Sequence, residues 1–210
     1  MSYKDVYAAW QADPEAFWME AAKAIDWVKP PSKALSDENA PLYEWFADGV
    51  VNTCYNAVDR HVENGRADQA ALVYDSPITD TKETITYAQL KDRVASLGGA
   101  MQAQGVEKGD RVIIYMSMTA EAVIAMLACS RIGAIHSVVF GGFAANELAT
   151  RIDDAQPKMI IASSCGIEPG RVVAYKPLLD AAIEMSAHKP DHCIIFQRPQ
   201  AVATMVEGRD

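Results

Sequence analysis

From about residue 70 onward, short apolar runs alternate with longer stretches of helical periodicity, and this alternation constrains the fold more than any other feature of the sequence. The runs at 111–116, 135–140, 159–163 and 193–196 are rich in valine and isoleucine, and each reads as a strand buried on both faces. Between them lie helical stretches: one capped by Thr119 or Ser117 and running to about Ile132, one at 145–154 and one at 176–187. A short strand, a helix and a second apolar strand make a β-α-β unit, and parallel strands need such crossovers. The repetition of the unit predicts an α/β domain with a largely parallel sheet covered by helices on both faces. Half of the 210 residues are hydrophobic and 22% are charged, enough apolar surface for one large or two small domains.

Upstream of this region the pattern differs. Residues 70–74 and 84–86 are strand candidates separated by a polar turn containing Pro77 and Asp80. Thr86-Tyr87-Ala88-Gln89 has the form of a capping box. Leu90, Val94, Leu97 and Met101 then share one helical face, Gly105 closes that helix, and Lys108-Gly109-Asp110 is a turn. Residues 1–65 read as a helical and irregular N-terminal segment, followed by the α/β region 66–210. Within the segment, Asp13 caps a helix that begins with Pro14, and Asn52 caps another carrying Tyr55, Val58 and Val62 and ending at Asn64-Gly65. All four tryptophans, Trp10, Trp18, Trp27 and Trp45, lie in this segment, which predicts aromatic surface packed onto a neighbouring domain.

Charge and motif absences narrow the function. The net charge of −9 argues against a nucleic-acid partner, whose phosphates require clustered Lys and Arg, although a small local basic site stays open. No apolar run approaches the ~18 residues of a membrane-spanning helix, and the N-terminus lacks the basic-then-apolar order of a secretory signal, so a cytoplasmic location is expected. Cys54, Cys129, Cys165 and Cys193 form no CxxC pair and are expected to be buried thiols in a reducing compartment. The dinucleotide fingerprint GxGxxG, the P-loop GxxxxGK[ST], GxSxG and HExxH are all missing. Asp153 and Asp154, at consecutive helical positions, point about 100° apart and do not suit shared acid–base work. No catalytic residue and no metal ligand is nominated.

In an open parallel sheet, ligands bind beyond the carboxyl ends of the strands, so the loops after Met116, Phe140, Ser163 and Phe196 are the ones to inspect. Gly141-Gly142-Phe143 follows Phe140. Two glycines there either make a tight strand-to-helix turn or leave bare backbone that a flat ring or phosphate can approach. Residues 164–171 read as a longer polar loop ending in Arg171, which either contacts a phosphate bidentately or pairs with Glu168 or Asp180.

Several ordered motifs carry a family resemblance. Asp13-Pro14-Glu15-Ala16-Phe17-Trp18 resembles the opening of short-chain acyl-CoA synthetases. Thr86-Tyr87 with Leu90, and Gly105-Val106-Glu107-Lys108-Gly109-Asp110-Arg111-Val112, resemble the early core of the adenylate-forming superfamily. The most specific stretch, Ala128-Cys129-Ser130-Arg131-Ile132-Gly133-Ala134-Ile135-His136-Ser137-Val138-Val139-Phe140-Gly141-Gly142-Phe143, is similar to acetyl- and propionyl-CoA synthetases, and residues 166–179 lean toward the propionyl branch.

The resemblance implies an AMP-forming ligase. A short-chain carboxylate and ATP give an acyl-adenylate and pyrophosphate, and coenzyme A then gives acyl-CoA and AMP, with Mg2+ offsetting phosphate charge. It further implies that Phe140, Gly141 and Gly142, with Glu168, Pro169, Gly170 and Arg171, contact the adenine and 3′-phosphate end of coenzyme A. Related acetyl-CoA synthetases commonly carry arginine where this chain has Glu168, and a carboxylate does not bind phosphate. The phosphate loop ending in Pro-Lys-Gly and the adenylation lysine of the family are not found in these 210 residues. The chain is therefore expected to be an N-terminal portion, propionate-specific, that contributes part of the coenzyme A site without forming an acyl-adenylate alone. An acetate-CoA ligase portion, a non-catalytic coenzyme A or adenine-binding module and a purely structural module are the alternatives. A sheet lacking neighbours supplied by later sequence is expected to leave apolar surface open to self-association.

Overall fold

The computed structural model describes residues 2–210. Contacts divide the chain into two compact units, one ending at Asn56 and one spanning Ala57–Asp210.

The first unit begins with two helices, α1 (Tyr3–Ala12) and α2 (Pro14–Ala22). The Asp13 carboxylate accepts from the Ala16 N–H at 2.9 Å, so the cap-then-proline order starts α2 as expected. Four short strands follow: β1 (Trp27–Lys29), β2 (Leu35–Ser36), β3 (Glu44–Trp45) and β4 (Val50–Val51), pairing β1 with β4 and β2 with β3, both antiparallel. The aromatic rings of this unit pack on one another. Trp18 meets Phe17 and Trp45 edge-on at centroid distances of 5.2 and 5.4 Å, and Trp27 meets Phe46 at 5.5 Å. The Asn52 side chain accepts from the Tyr55 N–H at 2.9 Å. The helical turns that follow are wound as π-helix over Tyr55–Asp59 and Val62–Arg66, broken at Asn64 and at Gly65 with φ +78°.

The second unit continues with an antiparallel hairpin of β5 (Ala70–Ser76) and β6 (Thr81–Thr86). Thr86 then starts α3 (Tyr87–Ala103) with the expected reciprocal cap: its hydroxyl accepts from Gln89 N–H at 3.3 Å and Gln89 Oε1 accepts from Thr86 N–H at 2.9 Å. At the far end Gly105, at φ +81°, lets Val106 N–H reach back to Met101 O and Gly105 N–H to Gln102 O, a Schellman closure.

The sheet itself is built from β7 (Arg111–Met116), β8 (Ile135–Phe140), β9 (Met159–Ser163) and, after the hairpin β10 (Cys165–Glu168) and β11 (Arg171–Ala174), β12 (His192–Phe196). The order is β12-β9-β7-β8, with every pairing parallel. Helices α4 (Ala120–Ile132), α5 (Ala145–Ala155) and α6 (Tyr175–Met185) make the crossovers. Side chains alternate across the sheet. Ile113, Tyr115, Val139, Ile160, Ala162 and Cys193 point to one face and form a core with Leu148 and Ile152 of α5 and Leu179, Ala182 and Ile183 of α6. Val112, Ile114 and Met116 point the other way and are also buried; α4 packs on β7 and β8 from that side, and α3 packs on α4.

Two expectations are corrected. The strand 135–140 is apolar enough to be central, yet Ile135, Val138 and Phe140 are exposed and only Val139 is buried. It lies at the end of the strand order, so one edge has no neighbour, and an apolar run by itself does not distinguish a central strand from an edge strand. Residues 164–171 are not an irregular loop. They form most of the β10–β11 hairpin, with Gly166 opposite Val173, Ile167 opposite Val172 and Pro169-Gly170 as its turn. Gly170 has φ +78°, which the second residue of a Pro-Gly turn needs.

Candidate functional site

The carboxyl ends of β7, β9 and β12 are stitched together by polar contacts. Ser164 N–H donates to Phe196 O at 2.9 Å, and Arg198 N–H donates to Ser164 Oγ at 2.8 Å. The buried Arg198 guanidinium reaches Ser117 Oγ at 3.0 Å and Cys165 O at 3.3 Å. This fixes the start of the β10–β11 hairpin against the sheet. Sequence reasoning assigned Arg198 no role, and no motif marks it.

At the end of β8 the strand turns sharply. Phe143 N–H returns to Phe140 O at 3.3 Å, Gly142 has φ +93°, and Tyr115 Oη donates to Phe143 O at 2.9 Å. Phe140 is largely exposed and its ring lies 5.5 Å from that of Phe143, which in turn carries the Arg151 guanidinium at 4.8 Å. One side of the Gly141-Gly142 backbone is occupied from within the protein. A Cβ on Gly141 would stand 2.8 Å from Met116 O and 3.0 Å from the Tyr175 ring, while one on Gly142 would stand 3.6 Å from Tyr175 Oη. Gly141 is thus required by Met116 O and the Tyr175 ring, Gly142 by its left-handed φ, and any ligand approaches from the opposite side.

Tyr175 serves the second loop as well. A Cβ on Gly166 would lie 2.1 Å from its hydroxyl and 2.3 Å from Cζ, closer than any real contact. The ring is 4% exposed and packs on Tyr115 at 5.2 Å. Burial chiefly pushes the Tyr175 phenol up, with the Glu168 carboxylate adding to the shift and the Arg198 charge easing it. Tyr115, more deeply placed, is pushed up to about 12, again mainly by burial. No motif in the sequence marks Tyr175, and the reason for the glycine at 166 is visible only in three dimensions.

At the hairpin tip the two charged candidates are paired. Arg171 donates to Glu168 Oε2 from Nε at 2.7 Å and from Nη2 at 2.6 Å, and its side chain is 70% exposed. Asp180 is engaged elsewhere, by Lys176 at 2.7 Å and by Arg209, so of the two acids open to Arg171 the structure selects Glu168. Glu168 takes one edge of the guanidinium and leaves Nη1 free of it, although the neighbouring carboxylate weakens the field that a phosphate would meet. The structure therefore gathers Gly141, Gly142 and Gly166 around one ring, with Phe140 and the Glu168–Arg171 pair on the exposed tips. Among the described residues, no group of three or more His, Cys, Asp or Glu could hold a metal ion. All four cysteines are free and buried, and burial pushes Cys129 and Cys193 up to about 12.

Comparison with known proteins follows the same division of the chain. The sequence profile described as AMP-binding enzyme matches residues 58–208. The chain belongs to the AMP-binding enzyme family. A second profile, Acetyl-coenzyme A synthetase N-terminus, matches residues 3–57 of this AMP-binding family member. The rat protein named acyl-CoA synthetase short-chain family member 3, mitochondrial, is 52% identical over 209 residues, 99% of this chain and 31% of the relative. The propionate–CoA ligase of Escherichia coli is 44% identical over 210 residues, 100% of this chain and 33% of the relative. The chain thus spans about a third of the length of these relatives.

Proposed function

We propose that the chain is the N-terminal portion of an AMP-forming short-chain acyl-CoA ligase acting on propionate, and that its two loops form part of the coenzyme A site. The observation that carries this is the convergence of the Phe140–Gly142 turn and the β10–β11 hairpin at the carboxyl end of a parallel sheet, where such sheets bind ligands. Similarity along this chain to about a third of the length of an acyl-CoA synthetase and of a propionate–CoA ligase supports the choice of substrates.

In this reading the exposed face of Phe140 and the open side of Gly141-Gly142 receive the adenine, and Arg171 Nη1 receives the 3′-phosphate. Glu168 holds the guanidinium in one orientation while reducing the net charge at the tip to zero, so phosphate attraction is weaker than with a lone arginine. ATP and the carboxylate would condense to an acyl-adenylate with release of pyrophosphate, and the coenzyme A thiol would then displace AMP. Magnesium, when bound, would offset the charge of the ATP phosphates. The chain's own part is to bind and orient the nucleotide end of coenzyme A. A cytoplasmic setting belongs to the same reading, and the free buried cysteines fit a reducing compartment.

Isothermal titration of coenzyme A into the chain, with Arg171→Ala alongside, tests the site. Binding that weakens about tenfold in the variant is expected for a lost charge-assisted phosphate contact; equal affinities would remove Arg171 from the site. The substrate assignment is tested by kcat/KM of the parent ligase for propionate and acetate, where a clear preference for acetate overturns it.

A further inference from the structure

We infer that Tyr175 is the positioning residue that sets the spacing between the two loops of this site. The inference rests on the coenzyme A reading for its functional consequence, and on packing alone for its structural content.

The ring does more than fill the core. Its body lies against Tyr115 on the α5–α6 side of the sheet, and its hydroxyl end reaches past the sheet to the backbone of both loops. Gly166 and Gly141 come so near the ring itself that a Cβ would stand 2.3 Å from Cζ and 2.7 Å from Cε1 at Gly166, and 3.0 Å from Cε2 at Gly141. Two segments with no hydrogen bond to one another among the described residues thus rest on opposite parts of a single rigid side chain. Tyr115 reinforces one of them by donating to Phe143 O, whereas the Tyr175 hydroxyl has no hydrogen-bond partner among the described residues. The ring, rather than a hydrogen bond, therefore transmits the position. Because an aromatic ring has two torsions and a fixed shape, it holds a separation that a flexible side chain would not. The distance from the Phe140–Gly142 platform to the Glu168–Arg171 tip follows from the ring's size.

Two substitutions separate the ring from the hydroxyl. In Tyr175→Leu, amide hydrogen exchange is expected to rise about tenfold in both the 140–143 and the 166–171 segments, with α3 amides, which lie outside the core around Tyr175, unchanged, because both segments lose their common wall. Tyr175→Phe should restore protection in both. Coenzyme A affinity should follow the same pattern, falling about tenfold in the leucine variant and returning with phenylalanine. A steric cross-check uses Gly166→Ala, which should destabilise the otherwise native chain strongly and the Tyr175→Leu chain much less.

Loosening of one segment only, or a phenylalanine variant as loose as the leucine variant, overturns the inference. So does a Gly166→Ala cost that is the same in both backgrounds. If no form binds coenzyme A, the ligand assignment falls; simultaneous loosening of the two segments would still uphold Tyr175 as their common support, and independent loosening would still reject it.

Discussion

Lys176 shows how much a single residue can impose on its surroundings. It is 2% exposed, and a buried ammonium must be paired or it costs several kcal/mol. Asp180 meets it at 2.7 Å and Asp210 at 2.9 Å, while Arg209 contacts both acids. Burial opposes ionisation of Asp210, but hydrogen bonds from Arg209, the Val206 N–H and Lys176 together hold its carboxyl below the usual aspartate range. A lowered folded pKa means stability that is complete above the unfolded value near ~3.9 and lost as pH falls through the lower folded value. Urea unfolding should therefore show no contribution from Asp210 to the pH dependence between about pH 8 and 5 and a loss confined below about pH 4. Asp210→Asn should lower stability at neutral pH by about 1.5–3 kcal/mol, the worth of a hydrogen bond to a charged group, and flatten the acid limb. An acid limb as steep in the variant as in the parent chain would refute this. None of this network was legible in the sequence, because Lys176, Asp180 and Asp210 are ordinary surface residue types until the fold buries the side chains of Lys176 and Asp210. The same holds for the glycines of the site: Gly141 and Gly142 announced a special backbone, but only the position of Tyr175 shows which side of it is closed.

Among the elements, the most legible were those with a local cause. The strands Arg111–Met116, Ile135–Phe140 and Met159–Ser163 begin and end where their apolar runs do. The start of α3 followed from Thr86 and Gln89 alone, a cap contributing about 1 kcal/mol without any tertiary contact. Elements that depend on distant partners were not legible. The pairs β2–β3 and β1–β4 are two or three residues long and exist because separated segments meet. The β10–β11 hairpin was hidden because Cys165-Gly166-Ile167-Glu168 lacks polar–apolar alternation: Gly166 is required by the Tyr175 ring, and Cys165 meets Arg198 through its backbone carbonyl, which leaves no mark on the sequence. The π-winding of Tyr55–Asp59 was equally hidden. Asp59 is buried there, with its carboxylate 2.6 Å from Arg131 of α4, a contact between residues far apart in sequence. Site residues behaved likewise: their positions at strand ends were readable from topology, and their mutual support was not.

For the whole molecule, the two sheet edges differ. At the β12 edge the chain returns, and Cys193 N–H donates to Arg209 O at 2.7 Å, so part of that ladder is already satisfied. A cleft of about 710 Å³ nevertheless remains there, lined by the apolar Leu97, Ala100 and Ile195 and by the polar Gln104, His192 and Arg209, none of them a site residue. At the β8 edge Ile135, Val138 and Phe140 are 55%, 54% and 73% exposed, and the strand carries none of the lysine, proline or bulge features that usually protect an edge. The net charge of −9 opposes association only at a distance, because salt screens it within about 8 Å at physiological ionic strength. Once two copies meet, edge pairing and apolar burial act at contact range. Light scattering should therefore show a mass rising above the 22.9 kDa monomer with concentration. Val138→Lys, placing a charge on the exposed strand, should return the chain to monomer without loss of helical signal by circular dichroism. A parent chain that stays monomeric at every concentration would refute the edge as an association site. A lysine variant that associates as strongly as the parent would likewise remove β8 as the association surface.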